Sequence, residues 1–532
     1  MATNKARRPM SNRNPYLIFI ALGLTLAIQS CSNSDVVNTL GVDAVVPEPT
    51  APEGEATQVF EPVGLLRISQ GEGGLTAELD AGDRFGRDHD SAGDINGDGV
   101  NDLIVGARSD DDGATDAGAA YVLFRNADGT VASQQKISAL QGGFTDELVA
   151  GSFFGYGVAG VGDYDGDGIP DVAVSAPAAP VPALYILHLN TDGTVKSMVK
   201  NSGIVAQGLS AVGDLNNDGR IDLVAAQPGA ANGGVIRLVF LNQSSTVVHE
   251  DTVTIGEQMG GFGTGLNAAD SFGGRESALL GDLDNDGRQE LAVGAFESDN
   301  GLGAIWILSL DNDTYHVVDK LKLTPGQAGF TESIPTATNA NGSTGGHFGH
   351  ALAAVGDLNG DSVPDLISSA NQYNDGVGYV LYLNADKTVK TYTRIDANNG
   401  GFDLSLDTAE RFGRSISIVD DNRSTGRISI NMGGGAGGTG AIYVLQFQAC
   451  EYITQPSNMF WSEGTTLFSN WNHGTQTVTG PLSHEQCVLE AVKNDAPNIT
   501  SKESDGRCII KDVNAVLSFS EEGSTAFARS CP

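Results

Sequence analysis

Basic side chains are scarce in this chain: 30 lysines and arginines stand against 66 aspartates and glutamates in 532 residues, for a formal charge of −36. So few cations leave no basic face for nucleic acid, which is excluded as a partner. Catalytic signatures are missing too. There is no His-Glu-x-x-His helix and no Gly-x-Ser-x-Gly elbow, so nothing points to a zinc peptidase or an α/β-hydrolase nucleophile. The stretches 261–265 and 433–438 are glycine-rich but lack the strand–turn–helix context of a phosphate loop, and they read as turns. No apolar run after residue 28 is long enough to cross a bilayer as a helix. The five cysteines include no Cys-x-x-Cys pair, the spacing a zinc site needs. Aromatics are only 7%, but 40% hydrophobic residues are enough for a packed core.

Glycine is the residue in excess, with 70 copies, nearly twice the share of ~7% expected of an average domain. That composition suits short strands joined by tight turns. The acids are organised as well. One loop reads Asp94-Ile-Asn96-Gly-Asp98-Gly99-Val-Asn-Asp102 and runs into the apolar strand Leu103–Ala107; related loops start at Asp163, Asp214, Asp282 and Asp357. Oxygen side chains at loop positions 1, 3, 5 and 9, with glycine at 6 for the turn, suit a hard cation such as Ca²⁺. An EF-hand also begins this way, but it requires a bidentate glutamate at position 12 and a following helix. Position 12 here is Val105, inside a strand. Metal-free acidic hairpins are the remaining alternative, since Asp, Asn and Gly favour turns, although their carboxylates would repel one another. A sixth loop, Asp420 to Ser424, has decayed: Ile428 takes the place of its ninth-position acid, and it is expected to bind no metal.

Around each loop the same parts recur. A lead-in such as Asp83-Arg84-Phe85-Gly86 comes first, and further strands such as Ala119–Phe124 and Lys136–Ser138 follow. The Phe-Gly pair returns at 154, 272, 348 and 412, and the third copy has lost it. The repeat predicts an all-β, six-bladed β-propeller, with a seventh blade built from the C-terminal region as the alternative. Blade six finds no fourth strand before Cys450, whereas Leu65–Ser69 carries the fourth-strand pattern ahead of the first loop. The N-terminal strand is therefore expected to complete blade six and close the ring, removing an exposed edge.

Phe-Gly, the Asp-x-Asn-Gly-Asp-Gly loop and the turns Gly106-Ala107, Ser175-Ala176-Pro177 and Gly294-Ala295 resemble FG-GAP repeats. That repeat forms the β-propeller of integrin α subunits, whose seven blades differ from the six counted here, and it occurs in secreted bacterial proteins. The resemblance implies five Ca²⁺ sites. Their ligands would be Asp94, Asn96, Asp98, Asp102 and the Val100 carbonyl; Asp163, Asp165, Asp167, Asp171 and Ile169; Asp214, Asn216, Asp218, Asp222 and Arg220. The last two sets are Asp282, Asp284, Asp286, Glu290 and Arg288, and Asp357, Asn359, Asp361, Asp365 and Val363. Glu290 is a methylene longer than aspartate, and Ser362 replaces the position-6 glycine. Five ions at +2 each would bring the net charge to about −26. The resemblance further implies that the ions stiffen loops without touching a partner.

The ends read differently. Lys5, Arg7, Arg8 and Arg13 precede an apolar run from Tyr16 to Ile28, the form of a secretory signal and too short for an anchor. The run ends at Leu26-Ala-Ile-Gln-Ser-Cys31, which resembles a bacterial lipobox with Cys31 as the lipidated residue; cleavage near Ser30 with an unmodified thiol is the alternative. Residues 1–31 are thus expected to be a lipoprotein signal, and 32–62 a disordered tether rich in Pro, Asp and Glu. Residues 63–449 form the propeller and 450–532 a small C-terminal region. There Cys450, Cys487, Cys508 and Cys531 suggest two disulfides in an exported chain, and residues 485–493 a short helix. The expected setting is the bacterial envelope, on the outer membrane. The function expected is adhesion to, or recognition of, a protein or glycan. The alternative is a hydrolase or lyase acting on polysaccharide or phosphodiester substrates. Titratable residues clustered in the central channel or in a cleft between blades, away from the metal loops, would favour that alternative. His347 and His350, which bracket one Phe-Gly, are expected at the surface.

Overall fold

The computed structural model describes residues 56–455, apart from 179–180, 248–251, 335–344, 398, 401–405, 407–410, 423–426 and 435–438, and beyond 455 the backbone of four short strands. Side chains at 56–61, 421–427 and after 448 are outside this description, as are Cys31, the signal and tether up to residue 55, Cys487, Cys531 and the segment 485–493. Cys450 and Cys508 lie on described strands, but their side chains do not belong to the description.

In chain order, β1 is Ala56–Ile68. Blade one is β2 (His89–Gly93), β3 (Asp102–Ala107), β4 (Ala119–Arg125) and β5 (Val131–Ser138). Blade two is β6 (Val158–Gly162), β7 (Asp171–Ala176), β8 (Ala183–Leu189) and β9 (Val195–Ser202). Blade three is β10 (Gly208–Ala211), β11 (Leu223–Gln227), β12 (Val235–Val239) and β13 (Val253–Gly256). Blade four is β14 (Phe272–Gly281), β15 (Gln289–Ala295), β16 (Ala304–Leu310) and β17 (Val317–Leu323). Blade five is β18 (Phe348–Gly356), β19 (Asp365–Ala370), β20 (Val377–Leu383) and β21 (Val389–Ile395). Each of these is a separate antiparallel sheet of four strands.

Blade six is β22 (Ile416–Asn422), β23 (Arg427–Gly434) and β24 (Ala441–Gln455), and its fourth strand is β1, paired from Ala56↔Ile453 to Ile68↔Ile442. The N-terminal strand closes the ring, giving an all-β six-bladed propeller. Because the register runs this far, β1 begins inside the span read as a tether, and β24 continues past residue 450. The far end of β24 also pairs with β28 (Thr525–Ser530), and β26 (Asn498–Lys502), β27 (Cys508–Asp512) and β25 (Gln476–Val478) follow in that sheet.

The burial of each strand follows from its place in the blade. Second and third strands are sandwiched between neighbouring blades, so β3, β4, β7 and β8 are buried at every residue and read as unbroken apolar runs. The fourth strand faces solvent on one side: β5 buries Val131, Ile137 and Ser138 and exposes Ala132 and Ser133.

The Phe-Gly pair latches one blade to the next. Phe154 is wholly buried against Phe144 and Tyr185, and its backbone lies beside Gly118, which opens strand β4 of the preceding blade. A Cβ on Gly118 would fall 2.1 Å from the Phe154 carbonyl oxygen, and Gly118 has φ +88°, so only glycine fits. Gly234, Gly303, Gly376 and Gly440 meet Phe272, Phe348, Phe412 and Phe85 in the same way. The joint between blades two and three is the exception. Pro182 stands at the glycine position and Ala206 at the phenylalanine position, so both halves of the latch have changed together. There the Ser175 hydroxyl donates to the Ala206 carbonyl at 2.9 Å.

Candidate functional site

The acidic loops join the first and second strands of blades one to five. All five first strands run from the Phe-Gly end to the loop end, so the loops share one face. In each loop the first aspartate organises the turn. Asp94 Oδ1 accepts from the Gly97 and Asp98 N–H groups at 2.8 and 3.0 Å, and Oδ2 from Gly99 at 2.8 Å. Asp163, Asp214, Asp282 and Asp357 accept equivalent N–H bonds. The fifth-position acids Asp98, Asp167, Asp218, Asp286 and Asp361 accept from the N–H of Val100, Ile169, Arg220, Arg288 and Val363. Asn96, Asn216 and Asn359 cap the same turn by accepting from the fifth residue's N–H. Ser362 takes the glycine conformation at φ +68°, which strains a residue carrying a Cβ.

The ninth-position acid ties the loop to the sheet. Asp102 is buried, with Oδ2 accepting from Ile95 and Oδ1 from Arg125 N–H, both at 3.0 Å. Asp171 and Asp365 repeat both bonds. Asp222 and Glu290 lack the second bond: Asp222 Oδ2 accepts from the Leu215 and Asn216 N–H groups and Glu290 Oε2 from Leu283, which leaves Asp222 Oδ1 and Glu290 Oε1 buried without a hydrogen bond, the latter 4.0 Å from the Lys387 ammonium. Burial pushes these carboxyls up, to about 6 at Asp102 and about 7 at Asp222 and Asp365. In blades two and four, three acids converge: oxygens of Asp163, Asp165 and Asp171, and of Asp282, Asp284 and Glu290, lie within 4.8 Å of one another. Hard oxygen donors with partnerless buried oxygens fit a cation of the Ca²⁺ type.

Among the described residues, ammonium groups already reach three of these loops in ways the sequence pattern did not reveal, the blade-five loop through Lys390 at 3.2 Å from Asp361. Lys196 bridges Asp165 and Asp167 at 2.8 and 2.6 Å. Lys387 is more unusual. It comes from the β20–β21 turn of blade five, is 7% exposed, and puts Nζ 2.7 Å from Ser309 Oγ, 3.0 Å from Asp319 and 3.3 Å from Asp284 in blade four. Its φ is +70°, whereas the matching turn positions in blades one and two are Gly129 and Gly193. The first acid of the decayed sixth loop, Asp420, is held by both Nη atoms of buried Arg125 at 3.1 Å, and Ile428 is packed in the core.

The first strands of all six blades surround a central cavity of about 490 Å³, with His89, Asp90, Glu276, Ser277 and Ser417 in its wall. His89 Nδ1 lies 2.6 Å from the Ser415 hydroxyl, its Nε2 has no partner, and burial pushes its pKa down to about 4. His350, expected at the surface, is 5% exposed, with its ring against Phe296. It follows Gly349 into β18, and the blade covers it. Asp90 is pushed up to about 6 by burial, against the Gly160 and Ser91 N–H groups that donate to it.

Residues 90–123, 274–308 and 348–383 match the FG-GAP repeat, and residues 163–225 match the FG-GAP-like repeat. Integrin alpha pat-2 of Caenorhabditis briggsae is 27% identical over 239 residues, covering 41% of this chain and 18% of that protein. Integrin alpha-5 of Xenopus laevis is 29% identical over 240 residues, covering 41% and 20%. The chain thus spans only about a fifth of the length of these relatives. Among solved structures, an endo-arabinase from Bacteroides thetaiotaomicron aligns with 14% identity and a TM-score of 0.33 over 52% of this chain and 88% of that one, a likeness too slight to bear on function. With the latching Phe-Gly pairs, the acid loops and these matches together, the repeats of this chain are FG-GAP repeats, and they build a six-bladed propeller related in sequence to integrin α subunits.

Proposed function

We propose that the protein is a calcium-stabilised recognition propeller, held on a bacterial envelope through lipidated Cys31 and binding a protein or glycan. One observation carries the reading: the acid loops are gathered on one face, which leaves the Phe-Gly face for a partner. Ions that bind only the folded state add stability, and the resemblance to integrin α subunits supports protein ligands. The test uses the full chain with Cys31→Ser on an array of glycans and matrix proteins, with Ca²⁺ and with chelator. Saturable, calcium-dependent binding to one class supports the reading; no binding by a folded protein overturns it. Chelation is also expected to lower the melting temperature, and an unchanged melt would exclude a structural role for the ions.

A second reading, cleavage of a polysaccharide, is favoured by a specific feature: titratable groups do gather in the channel, away from the metal loops. His89, Asp90 and Glu276 all line it. Release of new reducing ends from any polysaccharide on the array would move the protein to that class.

A further inference from the structure

At the Phe-Gly end of the ring sit cations this acidic chain otherwise lacks: Arg275 on β14, Arg414 two residues before β22 and Arg108 just after β3. Arg108 is 8% exposed and Arg414 5%, and the Nε of each has no partner. Tyr156 is set between two guanidinium groups: Arg108 lies 4.0 Å and Arg275 5.0 Å from its ring centroid. Arg275 also donates to the Gln207 carbonyl at 2.7 Å. Although burial opposes it, Arg275 and Arg108 hold the Tyr156 hydroxyl below its usual range. Burial and the neighbouring Arg84 bring Arg414 down to about 10. Three guanidinium groups crowded in this way, faced by the two carboxyls of Asp88 and Glu276, keep partnerless Nε–H donors on Arg108 and Arg414 for an anion.

Two acids border the same space. Asp88 is 2% exposed and Glu276 6%, and no oxygen of either has a hydrogen bond of good geometry; the Ser415 hydroxyl and Ile416 N–H lie beside Glu276 without completing one. Burial raises both well above the ordinary carboxylate range; Asp90 raises Asp88 further, and Asp88 raises Glu276. Glu276 directly follows Arg275 on β14 and lines the cavity below. The hydroxyls of Ser277 and Ser417 and the His89 Nε2 in that wall also lack partners. Partnerless buried polar atoms are uncommon in a purely structural interior. Here they form a graded set, with cations at the mouth and neutral donors and acceptors beneath.

We propose that the Phe-Gly end of the channel binds a sugar acid, its carboxylate held by Arg108, Arg275 and Arg414 and its hydroxyls met by Glu276, Ser277 and Ser417. The cavity size is that of a small-molecule site. The two acids beside the arginines leave the mouth suited to a monoanion rather than to a phosphate dianion. The proposal rests on the reading of the Phe-Gly face as the ligand face, and it narrows the ligand to one class.

The test is isothermal titration of the full-length Cys31→Ser chain with glucuronate, galacturonate and N-acetylneuraminate, and with glucose, inorganic phosphate and an aspartate-rich peptide. One saturable site per chain for a sugar acid is expected, with no heat from glucose. Arg414→Gln and Arg108→Gln should each weaken it by roughly tenfold or more, the loss of a charge-assisted hydrogen bond. Tyr156→Phe, which keeps the ring and removes only the hydroxyl, guards against an arginine variant that does not fold. Absence of binding by every sugar acid overturns the proposal. So do phosphate binding as tight as the acids, peptide binding in their place, and full affinity in folded arginine variants. If array binding survives in arginine variants that show no sugar-acid site, the pocket fails while the recognition reading stands.

Discussion

At the residue scale, Lys387 makes the sharpest case. A non-glycine residue at φ +70° costs of order 1 kcal/mol, and the matching turns of blades one and two use glycine. What holds lysine there is the acid set of the next blade, Asp284, Asp319 and Glu290. Lys387 is the most buried of the three ammonium groups that reach these loops, 7% exposed against 41% for Lys196 and 28% for Lys390, and it occupies the acid set in place of an ion. Lys387→Gly should therefore raise calcium stoichiometry by one ion per chain in native mass spectrometry; an unchanged count would mean that Lys387 does not exclude metal. No sequence pattern exposes this, because lysine and acids lie on different blades and meet only in the ring. His89 illustrates the same limit with pH. Its folded pKa of about 4 lies below the unfolded value of ~6.5, so its contribution is complete above the unfolded value and is lost as pH falls from there through the folded value. The loss is up to about 3 kcal/mol. Asp83 acts in the opposite sense: burial raises it to about 6, so its contribution is present at low pH and fades as pH rises through that value. His89→Gln should flatten the acid side of a melting-temperature profile between neutrality and pH ~4.5. An identical acid limb would show that His89 does not titrate there.

At the scale of elements, the loops, the Phe-Gly pairs and the closing strand were legible because each is local and repeated. The apolar-run signal also read correctly, since both faces of the middle strands meet neighbouring blades. The latch was only half legible. Phenylalanine and glycine were visible as a motif, but the partner glycine before each third strand acquires meaning only once Gly118 is seen against Phe154. Gly118→Ala is expected to cost at least about 2 kcal/mol, from positive φ together with a backbone clash. The check is urea denaturation; a loss below ~0.5 kcal/mol would mean the joint relaxes freely. Channel residues were the least legible part. Arg108, Tyr156, Arg275 and Arg414 come from four blades, and no spacing in the chain links them.

At the scale of the molecule, closure couples the two ends of the propeller chain. Ile68 on β1 is wholly buried with Phe85, Val105 and Ile442, so the last strand to join blade six is also packed on blade one. Ile68→Asp places a charge in that core and should cost about 3 kcal/mol or more, with the ring still unfolding in one transition. A split transition in calorimetry would show blade six opening alone. Arg125, reaching from blade one to Asp420 in blade six, strengthens the same seam.

The altered latch between blades two and three has a consequence for how such a ring can change over generations. Five joints share one fitting, so a blade copied or exchanged among them arrives with matching halves. The sixth joint has a fitting of its own, Pro182 against Ala206, and a blade moved across it presents a phenylalanine where no glycine waits. Blades two and three are thus bound to travel together, an inherited unit inside an array of otherwise interchangeable parts.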